Sequence, residues 1–259
     1  MRRHRMLVAA GAVALAALVP PLWTSRPERT PETTSGLPAP VEPAFTVPTP
    51  HPLRGVSAAA EWAPLRRAVA ARKAPTAAAP VVARLGTATP EGTTNIVVVL
   101  SRERDPRGTL WVRVRLPILP NGSTGWVPRS ALGGYVAVKT HLVVDLRRLT
   151  AVLYREGQRI FSAPIGVGRA NWPTPRGEFF VRNRLTRFHN AFYGPIAFGT
   201  NARSATLTDW PGGGFVGIHG TNSPQLIPGR ISHGCIRLRN RDILRLSKLM
   251  PVGTPVTVR

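Results

Sequence analysis

The sequence predicts a mainly β chain with two folded parts, and three observations predict it. Proline and glycine number 27 and 24, about a fifth of the 259 residues, which suits turn-rich β structure better than a helical protein. From about residue 80 onward, short runs of β-branched and apolar residues recur between turn residues, several alternating with arginine. A strong helical pattern occurs only near the end, where Ile243, Leu246, Leu249 and Met250 share a face. The length allows one large domain or two modest ones, each with a core.

The chain opens as an export signal would. Met1-Arg2-Arg3-His4-Arg5 is a basic lead, Met6 to Val19 is an apolar run, and Pro20-Pro21 ends it. The run is short for a membrane span, which needs about 20 residues. Residues 1–22 are therefore read as a signal peptide or membrane anchor, the only expected contact with a membrane. No cysteine follows to carry a lipid. Residues 23–58 are rich in Pro, Thr and Glu with few large apolar groups, and read as a disordered linker. Ser57 to Ala71, rich in alanine, is expected to form a short helix.

The first folded part, 59–133, carries strand-like runs at Pro80–Leu85, Asn95–Leu100 and Leu110–Leu116. A turn at Asn121-Gly122 leads into Gly125-Trp126-Val127-Pro128. The second, 134–259, begins as a β meander: His141–Leu146, Thr150–Tyr154 and Arg159–Ile165 are joined by polar turns, and Gly177–Val181 follows. Asn240 is the expected N-cap of the final helix, with Asp242 in its first turn. Pro251 and Gly253 end that helix, and 255–258 is a closing strand.

The net charge of +23 is almost wholly arginine, since Lys73, Lys139 and Lys248 are the only lysines. A polyanion partner is one reading of this charge, and arginine-rich coding bias is the other. No nucleic-acid motif accompanies the charge, so nucleic acid is not an expected partner. Anionic wall polymers or lipid surfaces fit a loose attraction.

One cysteine excludes an internal disulfide and makes Cys235 a candidate reactive thiol. It stands in Ser232-His233-Gly234-Cys235-Ile236-Arg237, among glycine, histidine and arginine rather than in an apolar run. Glycine before a nucleophile allows a sharp turn, and the amides of His233, Gly234 and Cys235 are a candidate oxyanion hole. Upstream, His219 sits in Gly217-Ile218-His219-Gly220 and is the candidate base, whose proximity would favour the thiolate. His233 either orients the turn or takes a direct part. Zinc is the chemical rival for these side chains, but paired CxxC or HExxH spacing is missing and no metal or other cofactor is expected.

The run Ile218-His219-Gly220-Thr221-Asn222, followed by Ile231-Ser232-His233-Gly234-Cys235-Ile236-Arg237-Leu238-x-Asn240, resembles the signature of the L,D-transpeptidase (YkuD-type) catalytic domain. Pro173-Thr174-Pro175, Phe192-Tyr193-Gly194-Pro195 and Gly253-Thr254-Pro255-Val256 are similar to other segments of that family. Trp111-Val112-x-Val114, a glycine turn and Gly125-Trp126-Val127-Pro128 resemble a bacterial SH3-like domain. The resemblances imply an L,D-transpeptidase-like β-sandwich behind a small SH3-like β-barrel. They imply Cys235 as nucleophile, His219 as base oriented by the carbonyl of Gly220, and Ser232 shaping the pocket. Arg237 would hold an acidic group of a peptidoglycan stem peptide, Tyr193 would line the groove, and Asn240 belongs to the same motif. The implied reaction is acyl transfer from a tetrapeptide stem with release of D-alanine and a 3→3 cross-link. Hydrolysis of the same thioester, protein attachment to the wall, and a non-catalytic wall-binding role are the alternatives.

Overall fold

A computed structural model describes residues 60–186, 191–207 and 214–259; the expected signal at 1–22 and linker at 23–58 lie outside them. Among the described residues the protein is mainly β, with almost no helix. Among the described residues seven strands form one sheet and ten form a second.

The first sheet contains β1 (Ala60–Pro64), β2 (Val69–Arg72), β3 (Val81–Leu85), β4 (Ile96–Arg104), β5 (Leu110–Arg115), β6 (Thr124–Pro128) and β7 (Val136–Val138). Its order is β3-β2-β6-β5-β4-β1-β7. The helix expected over Ser57–Ala71 is not formed where the chain is described, since β1 and β2 occupy 60–64 and 69–72. The reason is tertiary. β1 pairs with β4 on one side and β7 on the other, and Ala63, Leu65 and Ala71 are buried in the core. Partners on both edges override alanine's local helix preference.

β4 shows why Ile96-Val97-Val98-Val99 reads as an unbroken apolar run. Val97 and Val99 face the first core with Val112, Val114, Leu116 and Val127. Ile96 and Val98 face the other way and pack on Phe180 of the second sheet, with Trp62 and Val252 alongside. A strand buried on both faces loses its alternation.

The second sheet is built from β8 (Thr140–Asp145), β9 (Thr150–Arg155), β10 (Gln158–Pro164), β11 (Gly166–Gly168), β12 (Gly177–Leu185), β13 (Ala197–Arg203), β14 (Phe215–His219), β15 (Gly229–Ser232), β16 (Ile236–Arg237) and β17 (Pro255–Val258). Its order is β10-β9-β8-β17-β12-β13-β14-β16-β11-β15. The meander of β8 to β10 is present, and β17 joins it parallel to β8 before pairing with β12. The helix α1 (Asn240–Leu249) covers one face through Ile243 and Leu246.

Asn240 is not the N-cap. Arg239 holds that position with no side-chain cap bond, and Asn240 is the first helical residue. Its side-chain oxygen reaches sideways to the amide of Thr221 at 2.9 Å instead of folding onto its own helix.

Candidate active site

The site is assembled where β14 and β16 run parallel, with Ile218 opposite Ile236 and His219 opposite Arg237. This register places Gly217 beside Cys235. The Gly217 amide donates to Cys235 Sγ at 3.4 Å. A Cβ on Gly217 would lie 3.8 Å from His219 Cδ2 and 3.9 Å from Cys235 Sγ, in ordinary contact with both groups.

Cys235 follows a turn between β15 and β16 that only glycine adopts easily, with Gly234 at φ +112°. Ser232 Oγ ties the turn from inside. It accepts the Gly234 amide at 3.1 Å and donates to the Cys235 carbonyl at 2.6 Å. Thr174 ties it from outside, donating to the Gly234 carbonyl at 2.8 Å and accepting the Gly168 amide at 2.9 Å. Trp172 stacks at 4.4 Å on the His233 ring. Because Gly234's amide is engaged by Ser232, it does not face the pocket as an oxyanion donor. Gly234 serves the turn's geometry, and the His233 and Cys235 amides remain as candidate donors.

His219 is 1 % exposed, and its Nδ1 lies 2.6 Å from the Gly220 carbonyl. A carbonyl only accepts, so Nδ1 carries the proton and Nε2 presents a lone pair. Nε2 is buried and has no hydrogen-bond partner among the described residues. Tyr193 meets the ring edge-on at 4.8 Å. Burial pulls the His219 pKa down to about 4, with the Gly220 carbonyl opposing and Arg237 adding to the fall. Cys235 keeps some surface open to the pocket, but the protein packed around its thiol pushes its pKa up, opposed by the Gly217 amide and Arg237. Burial therefore acts against the charged form of each group, lowering the His219 pKa and raising that of Cys235.

Arg237 is 6 % exposed, with its guanidinium 4.2 Å from the Phe192 ring centroid and its Nε without a partner. It is thus a buried cation bordering a pocket, not a solvated strand residue. The pocket holds about 410 Å³ of non-atom space, its mouth included, and is lined by Cys235, His219, Arg237, His233, Tyr193 and Phe215 among others.

The loop after His219 is held by Asn240. A Cβ built on Gly194, at φ +68°, or on Gly220 would collide with Asn240 Oδ1, so neither position has room for a side chain. The Leu238 amide donates to the His219 carbonyl at 2.8 Å, fixing the base from the other strand. Cys235, His219, His233, Arg237 and Tyr193 therefore converge on one pocket, while Ser232, Gly234, Gly220 and Asn240 support its walls. Sequence reasoning missed Thr174, Phe192 and Phe215. Thr174 lies in a quoted Pro-Thr-Pro motif but was given no role, and a stacked aromatic has no spacing to reveal it.

Residues 139–258 match the family model of the L,D-transpeptidase catalytic domain, YkuD. Putative L,D-transpeptidases YkuD of Bacillus licheniformis and Bacillus subtilis are 38% identical over 117 residues and 35% over 118. The alignments cover 45% and 46% of this chain, and the chain spans 64% and 65% of those relatives' length. A crystal structure of an Enterococcus faecium L,D-transpeptidase is 26% identical at a TM-score of 0.37, covering 46% of this chain and 49% of that one. Residues 139–258 of this chain are thus similar to L,D-transpeptidase catalytic domains of the YkuD type.

Proposed function

We propose that this protein is a peptidoglycan L,D-transpeptidase working by cysteine acyl transfer. The observation that carries the reading is the unpartnered Nε2 of His219 in the pocket that Cys235 borders, with Nδ1 locked to Gly220. A tetrapeptide stem would place the carbonyl of its third residue over Cys235. As Sγ attacks the carbonyl carbon, His219 Nε2 takes the thiol proton, so the thiolate exists only in the course of reaction. The oxyanion would be met by the His233 and Cys235 amides. Collapse expels the amine of D-alanine, which receives the proton from His219, and leaves a thioester on Cys235. A side-chain amine of a second stem then attacks the thioester carbon, loses its proton to His219 and restores the thiol, giving a 3→3 cross-link. Water in place of the amine gives an L,D-carboxypeptidase. Arg237, buried and stacked on Phe192, suits a stem carboxylate.

In this reading residues 1–22 export or anchor the protein, 23–58 space it from the membrane, and 59–133 form an SH3-like module beside the catalytic domain at 134–259. Its place would be the outer face of the membrane or the wall, with stem peptides as substrate and anionic wall polymers as a further partner for its +23 charge. The test is incubation with a disaccharide tetrapeptide, followed by mass spectrometry of protein and products, beside Cys235→Ala. A thioester on Cys235 with loss of alanine, absent from the variant, is expected. Cross-linked dimer against tripeptide separates transfer from hydrolysis. Absence of adduct and turnover in folded wild type would overturn the reading in favour of wall binding.

A further inference from the structure

A loop of the first sheet reaches the wall of the candidate pocket through one ion pair, between an exposed glutamate and a buried arginine. The loop is tightly made: the Thr89 amide donates to the Thr93 carbonyl at 2.8 Å, the Gly92 amide to the Thr89 carbonyl at 2.9 Å, and the Thr89 and Thr93 hydroxyls lie 2.8 Å apart. From it Glu91 accepts two hydrogen bonds from Arg182, at 2.6 and 2.8 Å. Arg182 sits on β12 at a register shift between Val181 and Asn183, the kind of bulge that re-aims a side chain. It is 2 % exposed. Neighbouring Asn183 donates to Glu91 and to Thr93, each at 3.0 Å, and accepts the Gly199 amide at 3.0 Å.

The far side of the Arg182 guanidinium lies 3.8 Å from the Phe215 ring centroid, and Arg203 approaches the same ring at 4.6 Å. Phe215 opens β14, the strand that carries Gly217 and His219, and it lines the pocket with Cys235. The chain of contacts therefore runs Glu91, Arg182, Phe215, pocket. A guanidinium without its carboxylate would be a buried, uncompensated charge beside Arg203, and it would seek water rather than a ring face.

We propose that Glu91 is a positioning residue for the pocket: through Arg182 it fixes Phe215 as the wall against which the acyl donor seats. The proposal rests on the transpeptidase reading for the identity of the donor, but not for the existence of the wall. Cys235 is the only cysteine, so alkylation reports this pocket alone. The test compares wild type, Glu91→Gln, and the double variant Glu91→Leu/Arg182→Met, which removes the buried guanidinium together with its partner and so leaves no uncompensated buried charge. Two readouts are taken. One is the ratio of Cys235 alkylation rates for N-phenylmaleimide and iodoacetamide; the other is KM against kcat for a tetrapeptide donor. The expected result is a ratio changed about threefold or more and a donor KM raised about tenfold with kcat less affected, in the double variant as well as the single. A double variant that folds stably with wild-type ratio and KM would overturn the proposal and leave Glu91 as a brace only. If Glu91→Gln does not fold, the double variant decides. If wild type shows no donor turnover, the functional reading falls and the alkylation ratio still decides whether Glu91 sets the wall.

Discussion

The two sheets follow different pairing rules. Every pairing between named strands of the first is antiparallel. The second mixes antiparallel hairpins with three parallel pairings, β17 with β8, β14 with β16, and β11 with β15. The candidate site lies at the last two. Antiparallel neighbours are joined by short turns, whereas parallel neighbours require the chain to leave and return. That return brings His219, Cys235 and the Trp172–Thr174 segment to one place from separate stretches of sequence. The first sheet pairs within itself and lends one loop to the pocket wall, and the second gathers the candidate site.

Four experiments break or sharpen that contrast, from the largest effect to the smallest. Cys235→Ala is expected to lower acyl transfer by about a thousandfold or more with little change in melting temperature, read by product mass spectrometry and calorimetry. Unimpaired turnover would remove the thiol from the mechanism.

His219→Gln is expected to slow transfer about a hundredfold or more. In wild type, kcat/KM should hold as pH falls from neutral and drop only near the base's pKa of about 4. The same group makes stability depend on pH. Its unfolded pKa is near 6.5 and its folded pKa about 4, so between these values the unfolded chain binds the extra proton. Stability therefore falls as pH drops through this window, by about 3 kcal/mol in full, and is unaffected by this group above it. Urea midpoints across pH 4–7 should show the slope, and His219→Gln should flatten it. Burial also lowers the His141 pKa, so some slope remains.

Val112→Ala, at a fully buried position of the first core, is expected to cost about 2 kcal/mol in urea unfolding while leaving Cys235 alkylation in the folded protein unchanged. A matching loss of alkylation would mean the sheets are not divided in role. Arg237→Lys keeps the charge but loses the planar stack on Phe192. A donor KM raised about tenfold is expected from steady-state kinetics, and an unchanged KM would separate Arg237 from donor binding.

The same contrast explains what was legible beforehand. β5, β6, β8 and β9 are local hairpin strands, and alternation with turn residues marked them closely. The short helix over 57–71 failed because the partners of β1, on β4 and β7, lie far along the chain and outweigh local preference. Cys235 and His219 were legible as reactive types in glycine-rich surroundings. The engagement of the Gly234 amide by Ser232 was not, because residue type does not say which way an amide points. Nor were the directions in which the His219 and Cys235 pKa values move, which depend on how much protein encloses each group. Asn240 was visible as a capping type, but its actual partner, Thr221, lies nineteen positions away and is adjacent only in the fold.

The Gly220 carbonyl that holds His219 is a dipole and not an anion, and this bears on how the thiol survives. An aspartate in its place would stabilise imidazolium and with it a standing thiolate, the species that peroxides and disulfides consume. A neutral acceptor withholds that stabilisation until a substrate carbonyl takes up the developing charge. Under the proposed acyl transfer, Cys235 would thereby be shielded from indiscriminate oxidants while staying ready for an acyl donor. Slow sulfenic acid formation in dilute peroxide, set against fast acylation, is the outcome that reading expects.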